Sequence, residues 1–298
     1  MQAWVWITFG AALAQTVRFM LQRNLAGTGL SAAGATYARF VYAVPLVAVV
    51  LWAYSGVSGQ PVALPQSSRF WAFALAGGLA QILATVAVVA LFSMRNFAVG
   101  ITLKKTETLQ TALMGFVLLG ELISAVGLAG IAVGFLAVLL LTDRSKTLLV
   151  FGLDRSAGLG LLSGAFFGIS GVAYRGASLS LESGDTALRA ALTLLCVTAV
   201  QTLAMTAWFG LRDRAQIAKV LRAWRVAGLV GITSMIGSLC WFSAFTLQQA
   251  AYVNAIGQVE LVLSLLAATL FYGERITPRE LVGMALLVIS ILVIVLAI

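Results

Sequence analysis

The sequence lacks the residue types on which most metalloproteins and secreted domains depend. It contains no histidine, four prolines and two cysteines, Cys196 and Cys240, which lie inside apolar runs. This composition argues against a haem, a zinc site or a disulfide framework, so we predict no cofactor and no metal. Charged residues are also scarce, at 10% of the chain, whereas an ordinary soluble domain has about a quarter. A soluble globular domain is therefore excluded.

Apolar residues dominate instead, at 61% of 298 residues, with a mean hydropathy of +1.02. A span needs about 20 residues, so the chain has room for ten membrane helices, and the N-terminal stretch is predicted to be a retained span. The net charge of +9 comes from basic residues near span ends, which indicates loops beside a membrane, not a nucleic-acid partner. The predicted spans are 3–21, 34–54, 69–91, 98–119, 124–142, 157–178, 186–209, 225–247, 252–271 and 278–297.

The second half of the chain repeats the first at an offset of 153 residues, which maps Glu107 to Glu260 and Gly120-Glu121 to Gly273-Glu274. Five spans per copy is an odd number, so the second copy must enter the membrane upside down. We therefore predict an all-α membrane protein with ten transmembrane helices as two inverted five-helix repeats, residues 1–148 and 149–298. A weaker echo pairs the Gly-x-Thr-x-x-Arg stretches that end at Arg39 and Arg189.

The fourth predicted span carries charges at mid-depth, where each costs roughly 2.5–3.5 kcal/mol, so they are expected to face a bundle interior or a wet cavity. On a helix Lys104, Glu107 and Thr111 share one face, with Gln110 beside it. In one interpretation Glu107 binds a proton or the substrate and Lys104 tunes it. In the other the two residues form an internal ion pair that only fixes packing. Lys105 points elsewhere on the helix, toward a different partner.

The ninth span carries Glu260, and no basic residue lies in the same span. Gly257, one turn earlier, leaves room for a ligand or a neighbouring helix, and Asn254 and Gln258 share another face. Most Trp residues lie at span ends, as interfacial belts require, but Trp241 and Tyr252 lie deeper and are candidates to contact a ligand. Arg39 and Arg189, at span starts, either enter the site or extend to the interface. These residues complete the predicted substrate or proton site.

The ten-span pattern, the duplicated halves and the Gly-Glu pairs that close the fourth and ninth spans resemble the drug/metabolite transporter superfamily, in its EamA-type branch. The resemblance covers nearly the whole chain. It implies a ten-helix inner-membrane carrier with a central cavity, working by alternating access and often exporting its substrate. Two features depart from the family pattern. Thr108 and Leu261 stand where members commonly have a proline, and the charged trio of the fourth span is unusual.

The sequence thus predicts a secondary transporter, not an enzyme, that moves a small anionic, zwitterionic or amphipathic metabolite across a bacterial inner membrane. Basic groups in the core favour an anionic or zwitterionic substrate. The alternatives are a lipid or lipid-phosphate flippase of the same fold, or a membrane-embedded enzyme that uses Glu107 and Lys104 on a lipid. Expected partners are this small molecule and membrane lipids, with the chain a monomer or a homodimer.

The orientation of the termini has two conflicting predictions. Loops after odd-numbered spans hold most of the Lys and Arg residues that lie between spans. The positive-inside rule then keeps those loops in the cytoplasm and puts both termini outside. The family resemblance implies both termini inside.

Overall fold

The computed structural model describes residues 2–26, 30–92, 94, 97–141, 155–272 and 276–297, and every regular element in these ranges is a helix. The all-α prediction is confirmed for this part of the chain. The helices are α1 Ala3–Ala26, α2 Ala32–Ser58, α3 Ser68–Phe92, α4 Phe97–Lys104, α5 Glu107–Leu119, α6 Ala125–Leu141, α7 Arg155–Leu179, α8 Thr186–Arg212, α9 Arg214–Arg222, α10 Trp224–Leu247, α11 Ala250–Gly257, α12 Val259–Tyr272 and α13 Pro278–Leu296.

Six of the described helices are long and apolar enough to cross a bilayer, namely α2, α3, α7, α8, α10 and α13. The prediction of a multi-pass membrane protein is confirmed by them. The fourth and ninth spans differ from the prediction, because each is broken into two helices, α4 with α5 and α11 with α12. At the first break the Thr106 hydroxyl bonds the Leu103 carbonyl at 2.6 Å. A side chain that bonds a nearby carbonyl in this way competes with regular helix bonding.

Helix ends follow local sequence signals. Ser31 and Asp185 cap α2 and α8, each accepting a backbone N–H three residues ahead, and this satisfies an otherwise unpaired donor of the first turn. A capping box of Thr277 and Glu280 begins α13. Gly120 ends α5 at φ 69°, a left-handed conformation that glycine adopts without a Cβ penalty. The equivalent pair in the second half, Gly273-Glu274, lies outside the described residues, as do residues 142–154 between the halves.

The helices pack across the two halves of the chain. Helix α3 lies along α7, α1 along α10, α6 along α13 and α2 along α8, while α5 meets α11 at the centre. The main buried apolar cluster contains residues from both halves. Small residues permit this close approach. A Cβ on Gly130 of α6 would lie 2.7 Å from Ile294 of α13, and one on Gly283 of α13 would lie 2.8 Å from Leu141 of α6. Such small-residue contacts are typical of helix pairs in membranes.

The outer surface of the bundle is apolar, with exposed side chains such as Trp52 at 78%, Leu211 at 88% and Leu270 at 80%. An exposed apolar surface of this extent suits contact with lipid. Residues 212–225 include a short amphipathic helix, α9. It joins the end of α8 to the beginning of α10.

Candidate functional site

The break between α4 and α5 brings the charged trio to the middle of the bundle. The Lys104 Nζ lies 3.1 Å from the Glu107 Oε2, and these side chains are 21% and 15% exposed. Gln110 spans the break by donating to the Thr106 hydroxyl at 2.9 Å. The predicted pair therefore exists as an ion pair. It lies at the point where regular backbone hydrogen bonding is interrupted.

A glycine face on α7 makes room for the broken helix. A Cβ on Gly160 would lie 2.2 Å from the Gly100 carbonyl oxygen, and a Cβ on Gly164 would lie 2.9 Å from the Lys104 carbonyl oxygen. Phe167 of the same helix places its ring 4.6 Å from the Lys104 Nζ, within the range of a cation–π contact. The first half thus positions its charged pair against the first helix of the second half.

Polar side chains form the seam where α5 meets α11. Lys105 donates to the Gln258 Oε1 at 3.4 Å, and the Gln258 amide donates to the Thr108 hydroxyl at 3.3 Å. The Asn254 amide donates to the Thr111 hydroxyl at 3.0 Å. The structure thus brings together four of the predicted site residues, Lys105, Thr111, Asn254 and Gln258. Lys105 therefore has a different partner from Lys104, and that partner is Gln258.

Glu260 receives a hydrogen bond from the Gln15 amide of α1. The Gln15 Oε1 in turn accepts from the Trp241 Nε1 of α10 at 3.3 Å. The space beside Gly257 is occupied by the Trp241 ring, which a Cβ there would meet at 2.3 Å. The Gln15 amide therefore joins three helices, α1, α10 and α12, and the room that Gly257 leaves is filled by a neighbouring side chain.

Two arginines extend the positive charge of this cluster. Arg18 of α1 is 6% exposed and interacts electrostatically with Arg39, Glu260 and Lys104. Arg39 of α2 donates to the Ser238 hydroxyl of α10 at 3.5 Å. Arg39 therefore faces another helix inside the bundle. The cluster then has four cations, Arg18, Arg39, Lys104 and Lys105, and two carboxylates, Glu107 and Glu260.

Arg189 does not join this cluster. Its Nε donates to the Gly184 carbonyl at 2.9 Å, at the beginning of α8. The two Gly-x-Thr-x-x-Arg stretches also occupy different positions, since Gly34 lies inside α2, whereas Gly184 precedes the Asp185 cap with φ 94°. The capping residues Ser31 and Asp185 are the equivalent pair, and the echo between the two stretches is not a structural repeat.

Tyr252, a predicted ligand contact, packs against α6. It is 4% exposed and lies over Gly127 of α6, where a Cβ would meet the Tyr252 hydroxyl at 2.2 Å. That hydroxyl is 3.4 Å from the Ser124 Oγ.

Residues 121–124 are not helical, and the Glu121 carboxylate pairs with Arg175 of α7. Arg175 Nη1 also donates to the Phe245 carbonyl at 2.7 Å, in the last turn of α10. Arg175 is not among the residues predicted from the sequence, although it is a cation inside an apolar run, as Lys104 is. The crevice beside this pair, lined by Thr111, Ala112, Gly115, Glu121, Ile123, Gln249 and Ala251, is too narrow to hold a water molecule.

Gln15 was also missed by sequence analysis. It precedes Arg18 by three residues on the same helix face, and a polar pair at this spacing in an apolar helix was a usable signal. A second buried network was missed in the same way. The Tyr174 hydroxyl of α7 donates a hydrogen bond to the Gln81 side chain of α3. The Gln201 amide of α8 donates to the same hydroxyl at 3.4 Å.

The second half of the chain is similar to a known family of transporters. Residues 155–296 match the model of the EamA-like transporter family. A crystal structure of another protein has a TM-score of 0.71 at 16% identity, over 99% of this chain and 96% of its own, and this likeness shows the fold alone. No curated protein matches the chain in sequence. The second half of the chain is therefore similar to the EamA-like transporter family of the drug/metabolite transporter superfamily, and the apolar helices of the described residues indicate a multi-pass membrane protein.

Proposed function

We propose that this protein is a secondary transporter that moves a small anionic or zwitterionic organic metabolite across a bacterial inner membrane by alternating access. The observation that carries the proposal is the polar seam between the two broken helices, where Lys105 meets Gln258. Many secondary transporters bind substrate near midplane at discontinuous helices, where unwound backbone and helix ends supply polar groups. Export is the direction that the family resemblance implies.

We propose ten spans in two inverted repeats, residues 1–148 and 149–298, with α4–α5 and α11–α12 each counted as one span. The positions of the breaks support this division, because α4 ends at Lys104 and α11 ends at Gly257, which differ by the repeat offset. The packing supports it as well. Helix α3 packs on α7 and α1 packs on α10, while α6 packs on α13 and α2 on α8. If each span is replaced by its equivalent in the other half, the α3–α7 pair becomes the α10–α1 pair. The α6–α13 and α2–α8 pairs each map onto themselves.

The charge of the cluster supports the class of substrate. Four cations and two carboxylates leave the site formally positive, and Lys105 has an amide, Gln258, as its hydrogen-bond partner. The electrostatic influence of both Glu107 and Glu260 reaches Lys104 and Lys105. A carboxylate or phosphate group on the substrate would complement this excess charge at a depth where water is scarce. A cationic substrate would have to displace or outcompete the same groups.

The closed crevice at Thr111 and Glu121 supports alternating access. The Glu121–Arg175 pair joins the α5–α6 connection to α7, and Arg175 also holds the end of α10. In this proposal, polar contacts of this kind close one end of the bundle in one of the two alternating states. Opening that end would require the Glu121–Arg175 pair to break, since Glu121 and Arg175 belong to different halves.

The experiment that tests the proposal is counterflow in vesicles. The purified chain is first screened by thermal shift against a metabolite library, and compounds that stabilise it are loaded into proteoliposomes. We expect a radiolabelled anionic or zwitterionic compound to exchange across the membrane in vesicles that contain the protein and not in empty ones. Binding without exchange, or exchange restricted to lipid-like compounds, would reject the proposal and favour the flippase or the enzyme.

A further inference from the structure

Helix α9 and its flanks carry positive charge that the transport site does not use. Residues 212–225 hold five basic residues and one acidic residue. The basic side chains are all exposed, as is Asp213. They are Arg212, Arg214, Lys219, Arg222 and Arg225. Within the part of the chain that the structure describes, the Arg214 Nε donates to the Gly210 carbonyl at 2.8 Å, and this leaves most of the donors of these side chains for an outside partner.

The same surface has large exposed apolar side chains at its edges. Trp208 and Trp224 are 50% and 60% exposed, and Leu211 and Leu221 are 88% and 54% exposed. The Arg225 guanidinium lies 5.6 Å from the Trp224 ring centre. Tryptophan beside arginine, next to apolar side chains, is typical of the level of lipid headgroups.

The opposite face of α9 is fixed to the beginning of α2. Val220 is fully buried, in a cluster with Tyr37 and Phe40 of α2. The Tyr42 hydroxyl donates to the Val220 carbonyl at 3.3 Å. The Gln216 Oε1 accepts the Ser31 backbone N–H at 3.2 Å. Ser31 is the N-cap of α2, so α9 contributes directly to the position at which α2 begins.

We propose that helix α9 and its flanks form a binding surface for anionic phospholipid headgroups, and that a bound headgroup fixes the beginning of α2. The phosphodiester supplies the negative charge that the exposed cations attract, and the acyl chains contact the exposed Trp and Leu side chains. Free phosphate could satisfy the first requirement and not the second. Because α2 also carries Arg39, the lipid composition of the membrane is coupled to the arrangement of the candidate site.

The test uses the full chain in nanodiscs of phosphatidylcholine, with or without phosphatidylglycerol. Two quantities are measured, the midpoint of thermal unfolding and the amide hydrogen exchange of the peptide that contains Ser31. We expect phosphatidylglycerol to raise the midpoint and slow this exchange, with both effects weakening as salt rises. The variant R214Q/K219Q/R222Q should lose both effects, with an affinity about fivefold lower for each cation removed.

Two controls separate charge from fold. The variant R214K/K219R/R222K keeps the charges and should respond as the wild type does. Arg69→Gln, at the other end of the bundle, should also keep the response. Single Gln variants replace the triple variant if it fails to fold, and each should lose part of the effect. The proposal is overturned if the triple Gln variant keeps the full response, or if inorganic phosphate in phosphatidylcholine discs produces an equal one.

Discussion

Lys105 donates a hydrogen bond to Gln258 at 3.4 Å, and the two residues are 153 positions apart, which is the offset of the sequence repeat. Equivalent residues of the two halves therefore touch each other at the centre of the bundle. Each lies at the break in its own span, between α4 and α5 or between α11 and α12. The sequences of the two halves nevertheless differ around this contact. Lys104, for example, corresponds to Gly257, and Gly168 corresponds to Gln15.

The two midplane carboxylates are expected to be necessary for transport. Replacing Glu107 or Glu260 by Gln keeps the size of the side chain and removes its charge, so the Lys104 pair or the Gln15 contact loses its ionic partner. We expect transport in vesicles to be abolished by either change while expression and the far-ultraviolet spectrum remain normal. Glu182→Gln, at an exposed residue between α7 and α8, is the control. Wild-type rates in both site variants would refute the role of the carboxylates.

The Lys104–Glu107 ion pair predicts an energetic coupling. Lys104→Ala leaves a partly buried carboxylate without its cation, whereas the double variant with Glu107→Gln removes both charges. We therefore expect the single change to lower the free energy of unfolding more than the double change, with a coupling of about 1–3 kcal/mol. Denaturant unfolding in micelles measures the four members of the cycle. Strictly additive effects would mean that the pair contributes no specific interaction.

The glycine face of α7 predicts a position-specific sensitivity. In Gly160→Ala the added methyl group would lie 2.2 Å from the Gly100 carbonyl oxygen, which is backbone, so α4 must move. Overpacking of this kind typically costs about 1–3 kcal/mol. Gly158→Ala is the matched control, because a Cβ at Gly158 has nothing within 4 Å. It should be neutral or slightly stabilising, since alanine is the better helix former. Equal thermal unfolding of the two variants would contradict the packing described here.

Trp241 packs against Gly257 and donates a hydrogen bond to Gln15, and these two roles can be tested separately. Gly257→Ala would place a methyl group 2.3 Å from the ring, so we expect a lower unfolding midpoint, partly restored by a second change, Trp241→Ala. Trp241→Phe retains an aromatic ring and removes the N–H that Gln15 accepts. It should keep most of the stability and reduce transport. A Trp241→Phe protein with full transport would show that the Gln15 bond is dispensable.

The orientation of the termini is tested by thiol labelling in intact cells. Gln216 is unsuitable for the label because it is 7% exposed, whereas Ala218 on the same helix is exposed. In a background with Cys196 and Cys240 replaced, Ala218→Cys should resist a membrane-impermeant reagent, and Ser183→Cys, at the other end of the bundle, should react. This is the result that the positive-inside rule predicts. The opposite pattern would restore the orientation implied by the family.

Several features of the protein were determined by its sequence alone. Apolar runs of span length predict membrane helices because the bilayer interior offers no partner for an unpaired backbone group. The recurrence of Glu107 as Glu260 located the candidate site for a local reason, since charge inside an apolar span is costly wherever it occurs. Helix caps such as Ser31 and Asp185 are also local, and their residue types favour helix starts.

Other features were decided by tertiary structure. Glu260 has no basic residue in its own span, and its partner Gln15 lies on α1, brought there by the packing of distant helices. Arg175 also finds its partner, Glu121, only through the packing of distant segments. Likewise, only the structure shows that Arg189 remains at the beginning of α8. Helices from other parts of the chain pack against the breaks at Lys105 and Gln258, and the glycine face of α7 contacts the first of them. Periodicity reports which face of a helix a residue occupies, but contacts between segments far apart in the chain arise only when the bundle forms.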